Sequence, residues 1–203
     1  AKYRSDTGLD SNGISKAEKD ASLKMTHDAV EGSLISNGAG GSYSQSPVSR
    51  GDGWKNNKDV ILYASRATGV DPVLMAKIAA IESGFRPRIG NGGSTATGLY
   101  QFIDTTWADQ MRQHGRALGI PAGTGPKDAR ANALLGAMYV KKSVEDATKL
   151  RGVGTAQDAY MGHFLGQPGM RRFLRGLKAN PSQAASNLVG SSVPRSNPDI
   201  FFA

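Results

Sequence analysis

The sequence predicts a mainly α domain with at most a small β element, preceded by a loosely built N-terminal segment. Three observations lead there. From Trp54 onward apolar residues recur at helical spacing. Capping residues, Gly and Pro punctuate those runs where helices should start and stop. Runs of alternating β-branched residues, the mark of half-buried strands, are missing. The 203 residues suffice for one domain of moderate size, or one domain with a tail, and 26 Gly, about twice the usual share, leave part of the chain to loops.

Residues 1–50 read as a flexible segment and 51–203 as the main domain. In the first part, Ser15 to Glu31 carries Ala17, Ala21, Leu23, Met25, Ala29 and Val30, with Ser15 and Glu18 at capping-box spacing, and predicts one helix. Gly32 to Gly53 then runs through Ser, Gly and Asn in the manner of a linker. Lys58 to Thr68 predicts a helix closed by Gly69, and Asp71-Pro72 supplies a cap followed by Pro at the first position of a helix to Ser83. Gly84 to Thr97, with Pro87, is irregular. Further helices are expected from an Asp104 cap to Leu118, from Lys127 or Asp128 to Leu150, and from Thr155 through Phe164. Short ones follow over Gly169 to Leu177 and Pro181 to Leu188.

Composition closes off several classes of function. No window approaches the length of apolar run that a membrane span needs, and the opening residues lack the charged-then-apolar order of a signal peptide. Ala1 in place of Met reads as a trimmed or excised piece. Without Cys there is no disulfide, thiolate zinc site or cysteine nucleophile. His27, His114 and His163 have no ligand spacing, so neither a metal nor another cofactor is expected. Asn91-Gly92-Gly93-Ser94 lacks the Lys of a phosphate-binding loop and reads as a mobile loop. The net charge of +8 lies entirely in residues 51–203, because the first fifty hold six basic and six acidic side chains. Such a surface suits a polyanion, whether nucleic acid, anionic lipid or an acidic wall polymer, and equally serves solubility.

Among the four Glu, at positions 18, 31, 82 and 145, Glu82 is distinctive. It ends the apolar run from Val73 to Ile81, four residues after Ile78 and seven after Met75, on the apolar face of its helix. Burial there disfavours the ionised carboxylate and suits a general acid. A carboxylate at a helix end can also turn outward to water, and the residues alone leave both readings open.

Glu82-Ser83 is followed by the Gly-rich loop, then by Gly98-Leu99-Tyr100-Gln101-Phe102, and later by Ala159-Tyr160-Met161-Gly162-His163-Phe164-Leu165-Gly166. This order resembles the lytic transglycosylases of the soluble, lysozyme-like type over residues 54–203. The family shows Glu-Ser at a helix end, a Gly-Leu-Met-Gln-like segment and an Ala-Tyr-Asn-Ala-Gly-like segment. The Phe-Leu-Gly run and the closing Asn197-Pro198-Asp199-Ile200-Phe201 resemble the wall-degrading domains carried in bacteriophage particles.

The resemblance implies a lysozyme-like helical domain that cleaves the bond between N-acetylmuramic acid and N-acetylglucosamine. It leaves a 1,6-anhydromuramyl end and uses no cofactor. Glu82 matches the lone acid/base. Ser83 matches a residue that contacts substrate or supports the helix end. Gly98, Gln101 and the adjoining Phe102 match the segment lining the cleft, and Tyr160 matches the Tyr facing the acid/base. Two positions depart from the family pattern. Met161 replaces an Asn, with His163 a candidate to supply the lost contact, and Tyr100 replaces a Met and offers a sugar platform. Ordinary glycoside hydrolysis needs a second carboxylate. Asp104 and Asp109 read instead as a helix cap and a polar surface residue.

The implied partners are peptidoglycan glycan strands, other virion tail or internal proteins, and the anionic envelope surface. The implied setting is a virion component acting at the bacterial wall. Trp54 and Trp107 suit stacking on sugar rings or, as aromatic residues that begin or fill a helix, anchoring of the core. Arg171 to Lys178, four cations interleaved with Phe173, Leu174 and Leu177, suits DNA or an anionic membrane face, or a helix with one solvated face. A hydrolysing lysozyme and a non-catalytic glycan- or DNA-binding particle protein are the alternatives.

Overall fold

A computed structural model describes residues 42–90 and 92–196. The helix expected over 15–31, most of the N-terminal segment, Asn91, His27 and the closing run from Asn197 lie outside the described residues.

Among the described residues seven α-helices follow in order: α1 Trp54–Thr68, α2 Pro72–Ser83, α3 Asp104–Gln110, α4 Ala129–Arg151, α5 Ala156–Ala179, α6 Ala185–Leu188 and α7 Ser192–Ser196. The starts and stops follow the expected chemistry. Gly69 closes α1 in the left-handed conformation, and the Asp71 carboxylate caps α2 by accepting from Val73 N at 2.8 Å. Thr155 and Asp158 form a reciprocal capping box at the head of α5. Among the described residues there is no strand, only isolated bridges joining Gly90 to Thr97 and Thr97 to Phe102.

Several boundaries differ from expectation. Asp104 is the first residue of α3 and Ile103 its cap, with the Thr95 hydroxyl accepting from Asp104 N at 3.1 Å. Beyond Gln110 that helix widens into a π turn over Met111–Gly115. The two helices read over 155–164 and 169–177 form one run, α5, interrupted at Gly166, whose φ of 68° and ψ of 156° are not helical. The last short helix begins at Ala185, and α7 was not foreseen. Residues 42–53, which read as linker, are held in place. Tyr43 N donates to Leu118 O at 2.8 Å, and the Tyr63 hydroxyl donates to Ser42 O at 3.0 Å.

The chain divides at Tyr139 into two units. The first has α1 against α2 over a core of Ile61, Met75, Ile78, Phe85, Leu99, Tyr100, Leu134 and Leu135, all essentially sealed from solvent. Trp54 packs on Phe85 at 5.2 Å and Trp107 on Phe102 at 5.8 Å, so both Trp are core anchors. The second unit is built on Ala147, Met170 and Leu174, with Leu150, Met161 and Phe173 packed around them. There the basic run of α5 has the expected two faces. Leu174 is buried, Arg172 and Arg175 are exposed, and Arg171 pairs with Asp146 at 2.9 Å.

Candidate active site

Glu82 is half-buried in the last turn of α2, and the end of that helix is fixed from several sides. Ser83 is fully buried, its one hydroxyl proton shared between Ala79 O at 3.0 Å and Leu99 O at 2.9 Å. The first of these bonds closes the helix, and the second ties it to the turn sixteen residues on. Ser83 therefore supports the helix end and, being sealed, offers nothing to a ligand. Gly84 and then Phe85 adopt positive φ, 57° and 60°. For Phe85 this costs on the order of 1 kcal/mol, offset by burying its ring against Trp54 and by bonds to its carbonyl. Gly53 N donates to Phe85 O at 3.0 Å, and so does the Asn57 amide, also at 3.0 Å. Asn57 further donates to Gly51 O and Gly53 O and accepts from Ser49 Oγ, so this buried side chain knots residues 49–53 to the end of α2.

The Gly98–Gln101 segment is a four-residue turn closed by paired bonds between Thr97 and Phe102, at 3.0 and 3.1 Å. Gly98 has φ 88°, and a Cβ there would sit 2.2 Å from Asn132 Nδ2 and 2.4 Å from Pro126 O. Only glycine fits, and its contribution is backbone approach, not a cleft-lining surface. Asn132 is sealed, accepts from Tyr100 N at 2.9 Å and donates to Pro126 O at 2.8 Å and Thr97 O at 3.3 Å. Gln101 is half-buried with φ 46°. Its amide group donates to Gly98 O at 2.9 Å and Ile89 O at 3.3 Å, which leaves Oε1 without a hydrogen-bond partner. The amide, expected to donate and accept toward a sugar, is spent on holding the turn through its hydrogens, and its Oε1 is sealed from solvent.

Two expected contacts are corrected by burial. The Tyr100 ring, 1 % exposed, lies against Gly136, where a Cβ would approach it to 2.7 Å, and its hydroxyl donates to Met75 O at 3.0 Å. A ring so placed is core and not a sugar platform, and burial pushes its phenol pKa well up. Phe102 is 3 % exposed and is likewise core.

In the second unit Tyr160 is 39 % exposed, whereas Met161 packs on the Met170–Leu174 cluster and so stands on the core side of α5. The His163 ring sits edge-on to Tyr139 at 5.2 Å, and burial lowers its pKa to about 4, so it is a neutral imidazole at physiological pH. Among the described residues no group of three His, Asp or Glu gathers as a metal site.

The residues that hold this arrangement, Asn57 and Asn132, were not singled out from sequence. The signal for Asn132 was present, since it is a polar side chain inside the apolar run Ala131 to Leu135, the same anomaly that marks Glu82. Asn57, within Trp-Lys-Asn-Asn-Lys, had no such contrast.

A family model, the transglycosylase SLT domain, matches residues 59–160, half of the chain, and includes both the α2 end and the Gly98–Phe102 turn. The chain belongs to this family of peptidoglycan-acting transglycosylases, and its helical architecture is the lysozyme-like one. No helix among the described residues is long and apolar enough to cross a membrane.

Proposed function

We propose that this chain is a lytic transglycosylase in which Glu82 is the sole acid/base. The observation that carries the reading is the Ser83 to Leu99 hydrogen bond, 2.9 Å, inside the family-matched segment. It locks the helix end bearing a half-buried carboxylate to the turn bearing Gln101. Glu82 gives its proton to the glycosidic oxygen, which leaves as the 4-hydroxyl of N-acetylglucosamine. The muramyl 6-hydroxyl then returns a proton to Glu82 as its oxygen bonds to C1, closing the 1,6-anhydro ring. Protons balance without water, so no second carboxylate is called for. In keeping with this, Asp104 is exposed at the head of α3 and Asp109 is in a surface ion pair with Arg112 at 2.9 Å.

Both amide hydrogens of Gln101 are committed to backbone carbonyls, so any glycan contact of this side chain is through Oε1, which is sealed from solvent in the free protein. The exposed Tyr160 phenol is the remaining candidate for a glycan contact. The bacteriophage-like Phe-Leu-Gly and C-terminal motifs favour a particle-borne enzyme that opens the wall during entry. General acid/base catalysis is worth roughly 10²–10⁴-fold. Glu82→Gln should therefore lose at least about 10²-fold in peptidoglycan solubilisation while keeping its circular dichroism and its binding to insoluble wall. Substantial residual turnover in that variant would move the acid/base elsewhere.

A further inference from the structure

Helix α5 breaks at Gly166, and one side chain of α4 clasps the break. At Gly166 φ is 68° and ψ 156°, a region of backbone space essentially reserved for glycine. Leaving helical geometry there strips neighbouring backbone groups of their regular partners one turn away. Tyr139, 6 % exposed, takes up two of them with its hydroxyl, which donates to Gly162 O at 3.1 Å and accepts from Gln167 N at 3.0 Å. These two groups stand on either side of Gly166. The Gln167 side chain answers across the same gap, its Nε2 donating to Tyr139 O at 3.2 Å. Pro168, next in the chain, has no N–H for the break to orphan.

The clasp is held in turn by its surroundings. Tyr139 O also accepts from Ser143 Oγ at 2.9 Å, and the His163 ring stands edge-on to the Tyr139 ring at 5.2 Å. A Phe at this position would keep the ring and lose only the hydroxyl, so packing alone does not call for tyrosine. Residues 156–165, the first half of α5, are thereby fixed at both ends. At the head, Thr155 and Asp158 close the capping box and Arg151 pairs with Asp158. Gly154 there presses on α4, where a Cβ would come 2.3 Å from Val144 O. At the tail stands Tyr139. Tyr160 lies between the two anchors, two residues before Gly162, and is 39 % exposed, while Met161 beside it packs on the core.

We propose that Tyr139 is a positioning residue for the glycan contact of Tyr160: its hydroxyl fixes the break at Gly166, and with it the direction in which the first half of α5 presents that phenol. The proposal rests on the peptidoglycan reading above and adds to it a residue that touches no substrate. The test is a double-mutant cycle of Tyr139→Phe and Tyr160→Ala, made in the Glu82→Gln parent so that the ligand stays intact. Each chain is titrated calorimetrically with a soluble, peptide-free glycan strand and unfolded in urea. The expected result is binding weakened about fivefold or more by Tyr139→Phe and at least as much by Tyr160→Ala, with the double variant no weaker than Tyr160→Ala alone. The urea midpoint should fall with Tyr139→Phe in both backgrounds, so the loss of stability persists where the loss of binding does not. Gln167→Ala removes only the return bond to Tyr139 O, and this milder probe should show the same dependence on Tyr160. Binding losses that multiply, Tyr139→Phe binding equal to that of the parent, or no glycan binding by the parent overturns the proposal. The expected coupling alongside no turnover by the wild-type chain sustains the role of Tyr139 and sinks the enzyme reading. Turnover that depends on Glu82, with binding losses that multiply, does the reverse.

Discussion

Ser83 links two elements through one hydroxyl, so its removal separates stability from chemistry. Ser83→Ala leaves Leu99 O buried and unpaired, which costs about 1–2 kcal/mol. The expected result is a lower midpoint in urea, with kcat falling more than KM rises, because the Gly98–Gln101 turn loses its tie to α2. Gly98→Ala is more severe. Positive φ and the approach of Asn132 and Pro126 together cost about 3 kcal/mol or more, and the variant should unfold at markedly lower denaturant. His163 governs a pH response. Its folded pKa of about 4 lies below the ordinary value of 6.5, so the unfolded chain binds the proton first as pH falls. Stability is full above about 6.5 and declines as pH drops toward 4, and His163→Gln should flatten that slope in denaturant titrations across the window. Asp146 acts in a lower window. Burial raises its pKa, but hydrogen bonds and attraction from Lys142 and Arg171 outweigh this and depress it, so its contribution is lost only as pH falls below the usual carboxylate range.

At the scale of elements, the helices that carry capping chemistry were legible, and those defined by tertiary fit were not. Asp71-Pro72 and Thr155 with Asp158 fix their helix starts locally, and α2 runs over the expected Pro72–Ser83. Asp104 looked like a cap by residue type, but Ile103 turned out to occupy that position, with Thr95, nine residues upstream, meeting the free N–H. The merger of two expected helices into α5 follows from Gly166, which breaks helical geometry in one residue, with Pro168 restarting it. Of the candidate site, Glu82 stood out because a charge in an apolar run is conspicuous. Tyr100 misled for the opposite reason, since an aromatic ring in a motif position reads the same whether it lines a cleft or fills a core. Gly162 shows how closely α4 and α5 approach within the second unit. A Cβ there would come 2.3 Å from Ser143 Oγ. Gly162→Ala should lower thermal stability by several degrees without altering the secondary-structure content seen by circular dichroism.

For the whole molecule, the charge is unevenly spread. Residues 139–196 hold nine Lys and Arg against three Asp and Glu, and Asp146 and Asp158 are buried against Lys142, Arg171 and Arg151. The exposed cations Arg172 and Arg175 stand without an ion pair among the described residues on the outer face of α5. Raising salt from 0.1 to 1 M shortens the screening length from about 10 to about 3 Å. Wall binding should therefore weaken over that range in a pull-down with intact sacculi, and Arg172→Gln/Arg175→Gln should reduce the dependence.

The central claim is cleavage without water by a single carboxylate. It is tested most directly by mass spectrometry of the soluble fragments that wild-type protein releases from purified peptidoglycan, before and after borohydride. Muramyl fragments one water lighter than the hydrolysis products and resistant to reduction are expected, with none released by Glu82→Gln. Reducible fragments carrying the added water would contradict it.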